Sequence, residues 1–188
     1  MSSHHIVREK QEPALLITSL DGFDREHLGQ LLEWSPTVIA DGPLYETLDS
    51  MGIKIDAVIT SGDTPDFQPS TRRIHTTASP LEDGLKYLVG EQYPTVNVVT
   101  DTFSLKDFAL FADLIGLVIF TPDKKIFPVR SGFSKWKQAG EQVYLMHDVR
   151  NLQASGLRFT TGQVMETGKD GFYMLVFDQP FIFVGEDL

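Results

Sequence analysis

The chain has 188 residues, enough for one well-filled core or two small ones. Sixteen basic residues stand against 26 acidic ones, and the formal charge of -10, with no Lys/Arg cluster to offset it, argues against nucleic acid or an anionic membrane surface as a partner. Cysteine is absent, which removes disulfides, zinc-thiolate centres and thiol catalysis together, and the 41% hydrophobic and 22% charged content is that of an ordinary globular protein.

The opening MSSHHIVREKQEP is polar, with no apolar signal region, and His4-His5 is too short for a metal tract. No apolar run reaches the ~18 residues a membrane span needs, and the lack of cysteine fits a cytoplasmic setting, which is the expected one. Residues 14–20 (ALLITSL) read as a buried parallel strand, Asp21-Gly22 as a turn, and Asp24 as the cap of a helix over residues 25–33. Residues 37–40 form a second strand. Asp41-Gly42 turns the chain into a helix with Pro43 in its first turn, an apolar stripe at Leu44, Leu48 and Met51, and a stop at Gly52. Residues 57–59 return as a strand, and Gly62-Asp63-Thr64-Pro65-Asp66 follows at its carboxyl end, where open α/β sheets bind ligands.

Residues 74–76 predict a short strand. Ser79-Pro80-Leu81-Glu82 is a capping box opening a helix over Pro80–Gly90. Residues 95–100 predict a strand, 105–114 a helix and 117–120 a strand, so strand and helix alternate to about residue 121, the pattern of a doubly wound, mostly parallel sheet. After Thr121-Pro122-Asp123 the helices stop. Short β-prone runs follow at residues 125–129, 142–146, 156–160 and 162–167, and runs 172–177 and 181–184 read as a hairpin joined across Asp178-Gln179-Pro180. The expected fold class is α/β followed by all-β, with an α/β domain over residues 1–122 and a small β-sandwich over 123–188. A unit of about 60 residues is marginal alone, so the second is expected to pack on the first, on a symmetry mate, or both.

These features resemble the thiamine pyrophosphokinase family. Asp41-Gly42 matches its Asp-Gly turn, Gly52-Ile53-Lys54-Ile55-Asp56 its Gly-Ile-x-Pro-Asp step with isoleucine for proline, and Gly62-Asp63 the start of its acidic motif, with Asp66 as the nearest second carboxylate. The resemblance implies an α/β domain followed by a β-sandwich, a homodimer, and pyrophosphate transfer from ATP to thiamine with Mg²⁺. By the same resemblance Asp41, Asp63 and Asp66 are the candidate catalytic and metal-binding residues. Gly42, Gly62, His75, Glu82 and Asp101 are the candidate nucleotide contacts. Carboxylates after successive strands suit this chemistry, because oxygen ligands hold Mg²⁺ and the ion holds phosphates.

The departures are as informative as the matches. Thr60-Ser61 lengthen the approach to the acidic motif, and Thr64-Pro65 separate its two acids. The family's Asp-Lys-Thr-Asp-x-Glu stands here as Thr77-Ala78-Ser79-Pro80-Leu81-Glu82, keeping only a glutamate that the capping box already explains. The Gly-rich loop with arginine and Asp-His is replaced by VTDTFSLKDF at residues 99–108, with no glycine for close backbone approach, no arginine and no histidine. Gly168-Lys169-Asp170-Gly171 stands as a tight turn where the family places a Ser-Asn pair near thiamine. Each lost electrostatic contact costs about 10²–10³ in rate.

The expectation is therefore a thiamine pyrophosphokinase-like protein with impaired or no catalysis, binding a nucleotide or thiamine-like ligand. It would use Mg²⁺ and ATP if its site is functional and no cofactor otherwise. Two alternatives stay open: an active kinase, and a structural homodimeric interaction module. At single residues, Asp63 and Asp66 read equally as an Asx-type turn. His75 reads as a phosphate contact or as a half-buried structural histidine. Asp101 and Asp107 also read as solvated loop and cap residues. His147-Asp148 lacks further ligands for a metal, and Ser131-Gly132-Phe133 lacks the glycine of a nucleophile elbow. Trp34, Trp136 and the aromatic C-terminus read as core or dimer interface.

Overall fold

The computed structural model describes residue 10 and residues 12–62, 67–77 and 79–188. His4, His5, Asp63 and Asp66 lie outside the described residues. The first apolar run becomes strand β1 (Ala14–Ile17), buried along its whole length. Helix α1 (Arg25–Leu32) starts where Asp24 predicts it: the carboxylate accepts from the Glu26 N–H at 2.7 Å and the His27 N–H at 3.2 Å, two of the amides a helix start leaves open. Strand β2 (Val38–Asp41) leads through a 3₁₀ turn at Gly42–Leu44 into helix α2 (Tyr45–Ser50). Leu48 faces the core as predicted, but Tyr45 takes the other inward place and Met51 is exposed. The tighter opening turn rotates the apolar stripe away from the spacing of a pure α-helix.

Strands β3 (Ala57–Thr60) and β4 (Arg72–His75) come next, then helix α3 (Pro80–Gly90) with the predicted bounds. The Ser79 hydroxyl accepts from the Glu82 N–H at 3.4 Å, while the Glu82 carboxylate pairs forward with Lys86 at 2.6 Å. Strand β5 (Thr95–Val99) is followed by helix α4 (Leu105–Phe108), a 3₁₀ turn at Ala109–Phe111, and strand β6 (Gly116–Phe120). The predicted helix over 105–114 is thus cut to little more than two turns. Its buried residues, Phe108 and Phe111, stand three apart, the period a 3₁₀ turn satisfies, and Leu110 and Leu114 are left exposed.

Six parallel strands lie in the order β4-β3-β2-β1-β5-β6. Alternate residues of β1 divide between two cores. Leu15 and Ile17 join Leu28 of α1 and Tyr45 and Leu48 of α2, whereas Ala14 and Leu16 join Leu85 and Leu88 of α3 and Phe108 of α4. Side chains alternate across a strand, so the helices cover both faces of this part of the sheet.

The change of pattern after residue 121 is real, but the sheet does not stop there. Strand β7 (Lys124–Val129) pairs antiparallel with β6. Beyond the unpredicted strand β8 (Phe133–Lys137), β9 (Gln142–Leu145), an unpredicted β10 (Gln153–Ser155), β11 (Leu157–Thr161), β12 (Val164–Thr167), β13 (Gly171–Val176) and β14 (Ile182–Asp187) complete the chain. Among the described residues, 11 strands form one sheet, continuing β6-β7-β14-β9-β12-β11, and β10-β13-β8 form a second, antiparallel sheet of three. Val129, Val143, Leu145, Met165, Ile182 and Val184 from the large sheet meet Tyr173 and Leu175 from the small one in a third buried cluster.

The expected hairpin of 172–177 with 181–184 does not form. Strand β13 pairs with β8 and β10, and β14 pairs with β7 and β9 in the other sheet. The burial patterns give the reason. Residues 182–186 are buried in succession and need a central place with both faces covered, whereas β13 alternates and needs only one covered face. Asp178-Gln179-Pro180 therefore carries the chain between sheets. It is held there by the Gln179 amide, which donates to the Asp148 carbonyl at 2.9 Å.

Candidate functional site

All six parallel strands end on one rim, and the winding reverses between β1 and β5, because β2, β3 and β4 step one way and β6 the other. That reversal opens the crevice in which such sheets bind ligands. Asp41 and Gly42 stand at the end of β2, Thr60, Ser61 and Gly62 at β3, His75, Thr76 and Thr77 at β4, and Thr100 and Asp101 at β5. The register sets Asp41 against Ile59, and Thr60 against His75.

Asp41 is half-buried, and burial raises its carboxyl above the usual value of 3.8, with the Gly42 amide opposing. No described lysine or arginine pairs with it. Gly42 suits a crowded place: a Cβ there would sit 3.1 Å from the Ile59 carbonyl oxygen and 3.5 Å from Thr60 Cβ, tighter than ordinary contact. Among the described residues, no three carboxylates or histidines gather closely enough to hold a metal ion. A Mg²⁺ site on this rim would need Asp63 and Asp66, outside the described residues, to meet Asp41.

The raised value has a measurable sign. Below about pH 3.8 both folded and unfolded chains carry Asp41 protonated, and burial costs nothing. As pH rises through the unfolded and then the folded value, the native state must hold a charge that burial disfavours, so stability falls and the cost is full at neutral pH. Asp41→Asn is expected to raise the melting temperature at neutral pH by at most about 2–4 °C, given partial exposure, and to leave it unchanged near pH ~3. Thermal unfolding at the two pH values checks this; equal effects at both would show that the gain is not electrostatic.

The other predicted contacts are spread along the rim. Glu82 lies in the first turn of α3, engaged by Lys86. Asp101 is exposed, with the Thr100 hydroxyl donating to it at 3.4 Å. The loop after it carries Phe103, which stacks on Phe108 at 5.6 Å and 3° and meets Phe183 at 5.1 Å. Aromatic packing thus pins this loop onto the sheet. His75 is exposed rather than half-buried, because β4 is the edge strand.

His147 and Ser131 are structural. His147 Nε2 accepts from the Phe183 N–H at 3.0 Å, so Nδ1 carries the proton and donates to the Asp148 carbonyl at 3.0 Å. The Ser131 hydroxyl accepts from the Phe177 N–H at 3.0 Å. Trp34 is exposed on the surface.

Two residues were not legible as site residues in the sequence. Asp83 accepts from the Thr76 hydroxyl at 2.8 Å and from the Thr77 N–H at 3.2 Å, fastening the β4–α3 turn at the rim. Arg73 lines a cleft of about 470 Å³ together with Thr60, Ser61, Gly62 and His75. Its signal was the dipeptide Arg72-Arg73 two residues before His75, since a strand places residues 73 and 75 on one face. Arg72 points the other way and donates to the Tyr87 hydroxyl at 3.5 Å.

The fold class is a parallel α/β sheet prolonged into an antiparallel one that a second small sheet covers. No protein-family model matches the sequence, and a search of curated proteins finds no match. Solved structures do match. Thiamine pyrophosphokinase from Bacillus subtilis aligns with a TM-score of 0.67 at 10% identity, over 93% of this chain and 98% of that one. The enzyme from Geobacillus thermodenitrificans gives 0.69 at 10%, over 94% and 97%, and that from Candida albicans 0.65 at 12%, over 94% and 90%. The chain has the thiamine pyrophosphokinase fold over nearly its whole length.

Proposed function

We propose that this is a thiamine pyrophosphokinase-like protein whose catalysis is impaired and whose rim still binds a nucleotide or a thiamine-like ligand. On this reading residues 1–122 are a doubly wound nucleotide-type domain and residues 123–188 a β-sandwich that takes the acceptor-type ligand, in a cytoplasmic homodimer. The observation that carries it is the loop after β5. Where phosphoryl transfer needs donors brought close to phosphate, the half-buried Phe103 packs against Phe108 and Phe183, and no glycine, arginine or histidine stands between residues 99 and 108. Asp41 is the described carboxylate placed to contribute to a metal site, and Mg²⁺ would supply phosphate charge neutralisation if Asp63 and Asp66 join it.

Purified protein with ATP, Mg²⁺ and thiamine is expected to give no thiamine diphosphate or AMP above background, while ATP or thiamine raises the melting temperature by mass action. Clear turnover would overturn the reading in favour of an active kinase. No thermal shift with either ligand would favour the structural module. One feature supports that last alternative: the outward face of the small sheet carries Trp136, Phe172, Met174 and Val176, with Phe172 directly opposite Trp136 and 73% and 48% exposed respectively.

A further inference from the structure

We propose that His147 is an acid-released latch on β14: its neutral ring holds the Phe183 amide, and protonation frees that end of the strand and the Phe103 loop packed on it. The device does not depend on which ligand the rim takes.

Strand β9 runs alongside β14 with Tyr144 opposite Gly185 and Leu145 opposite Val184, so the next rung falls between Met146 and Phe183. A hydrogen-bonded pair in an antiparallel ladder exchanges two bonds, each N–H donating to the other carbonyl. Half of that exchange is present, since the Met146 N–H donates to the Phe183 carbonyl at 3.1 Å. The returning half is replaced: the Phe183 N–H donates to His147 Nε2 at 3.0 Å. An imidazole thus stands in for a backbone carbonyl on an interior strand of the large sheet. Phe183 is fully buried, and a buried N–H that loses its acceptor is costly.

A carbonyl keeps its lone pairs at any working pH, but an imidazole does not. Nδ1 already carries a proton, donated to the Asp148 carbonyl at 3.0 Å, so a second proton can go only to Nε2. Two N–H groups would then face each other, and the bond to Phe183 would be gone. The half-buried ring has a way out to water, and among the described residues no carboxylate forms an ion pair with it. The titratable groups nearest in the chain are Tyr144 on β9 and Asp148 and Arg150 in the loop after it. The segment leading to β14 adds Asp178, and the Phe103 loop with α4 adds Asp101, Lys106 and Asp107. Asp148 is taken by the Gln163 amide at 2.8 Å, and Asp178 by Asn151.

Release would reach the rim through aromatic contacts. The Phe183 ring meets the His147 ring at 6.4 Å on one side and Phe103 at 5.1 Å on another, and Phe103 stacks on Phe108 at 5.6 Å. Those contacts pin the loop after β5. The latched state binds one proton fewer than the released one, so the latch is closed above the histidine range of about pH 5–8 and is lost as pH falls through it.

Hydrogen-exchange NMR on the full chain at pH ~7.5 and pH ~5 tests this, the two values lying on either side of the ordinary histidine midpoint near ~6.5. Protection factors remove the intrinsic pH dependence of exchange, and the buried Val58 and Val98 amides of the parallel sheet report any general loss of stability. Phe183 protection is expected to fall about tenfold or more at the lower pH relative to those controls, with the Phe103 signals shifting over the same range. His147→Gln places a carbonyl oxygen that does not titrate within reach of the same N–H, and should abolish the pH response. His147→Leu should leave Phe183 poorly protected at both values.

Unchanged Phe183 protection in the native chain at pH ~5 would overturn the proposal, as would a pH response that persists in His147→Gln. The pH response decides, not the level of protection, so the native chain and His147→Gln suffice if His147→Leu does not fold.

Discussion

Glu186→Ala is expected to destabilise the chain by about 3–5 kcal/mol, the range for breaking a buried ion pair from one side. Along β14, Ile182 and Val184 point into the core between the two sheets, and Glu186 continues that row with its side chain only 8% exposed. There it meets two lysines from the inward face of β8. Lys135 Nζ lies 2.8 and 2.6 Å from the two carboxylate oxygens, and Lys137 Nζ lies 3.6 Å away with its own side chain 11% exposed. Lys137 also reaches Glu141 at 3.1 Å. Alanine would leave Lys135 without its carboxylate and Lys137 with one exposed partner. The cost is the desolvation of charges left behind, not the intrinsic worth of the pair, so Lys135→Ala in the Glu186→Ala background should cost much less than in the native chain.

Urea unfolding of the four chains of that cycle measures it, with a coupling of about 1–3 kcal/mol expected. Glu186 and Lys137 are shielded, but the Lys135 side chain is 39% exposed, so raising salt should lower the coupling in part without abolishing it. A loss under ~1 kcal/mol would place these charges in water instead. Burial and the nearby Glu186 carboxylate together push the Tyr173 hydroxyl above its usual range, and that hydroxyl has no described hydrogen-bond partner. Neutralising Glu186 removes one of those two causes.

What the sequence could show was what neighbours in the chain decide. Asp24, Ser79-Pro80 and the continuous apolar runs at 14–17 and 57–59 act locally, and they gave α1, α3 and the parallel strands. Legibility failed where a distant partner sets the outcome. Strand β8, FSKWK, alternates lysine into the core and tryptophan out of it, the inverse of an ordinary amphipathic strand, and it is Glu186, some 50 residues on, that meets both lysines and makes that arrangement tenable. The hairpin expectation failed for a similar reason: adjacency in sequence favours pairing, but burial on both faces of β14 demanded a central strand. At the rim, Asp41 was readable from its turn. His75 was picked out from its place before Thr76-Thr77, but Arg73 was not, because the cleft it lines exists only once β3 lies alongside.

Gly156→Ala is expected to cost about 2–5 kcal/mol, far more than an exposed glycine should. Gly156 is the single residue between β10 in the small sheet and β11 at the edge of the large one, so the chain changes sheets across it. Its φ is 78°, the left-handed region, where a side chain costs about 1–2 kcal/mol. A Cβ there would also stand 2.7 Å from the Phe172 carbonyl oxygen and 3.1 Å from Tyr173 Cα. Both obstacles are backbone of β13, itself paired on both sides, and overpacking against groups that cannot rotate away adds about 1–3 kcal/mol. Gly140 separates the two effects. Its φ is 84°, but nothing lies within 4 Å of its Cβ position, so Gly140→Ala should cost only the backbone part. Thermal unfolding is expected to show a drop about twice as large or more at Gly156 as at Gly140. Equal drops would mean that β13 yields to the new methyl group. The corner at Gly156 would then owe its glycine to conformation alone, and the two sheets would be less tightly clamped than the 2.7 Å approach implies.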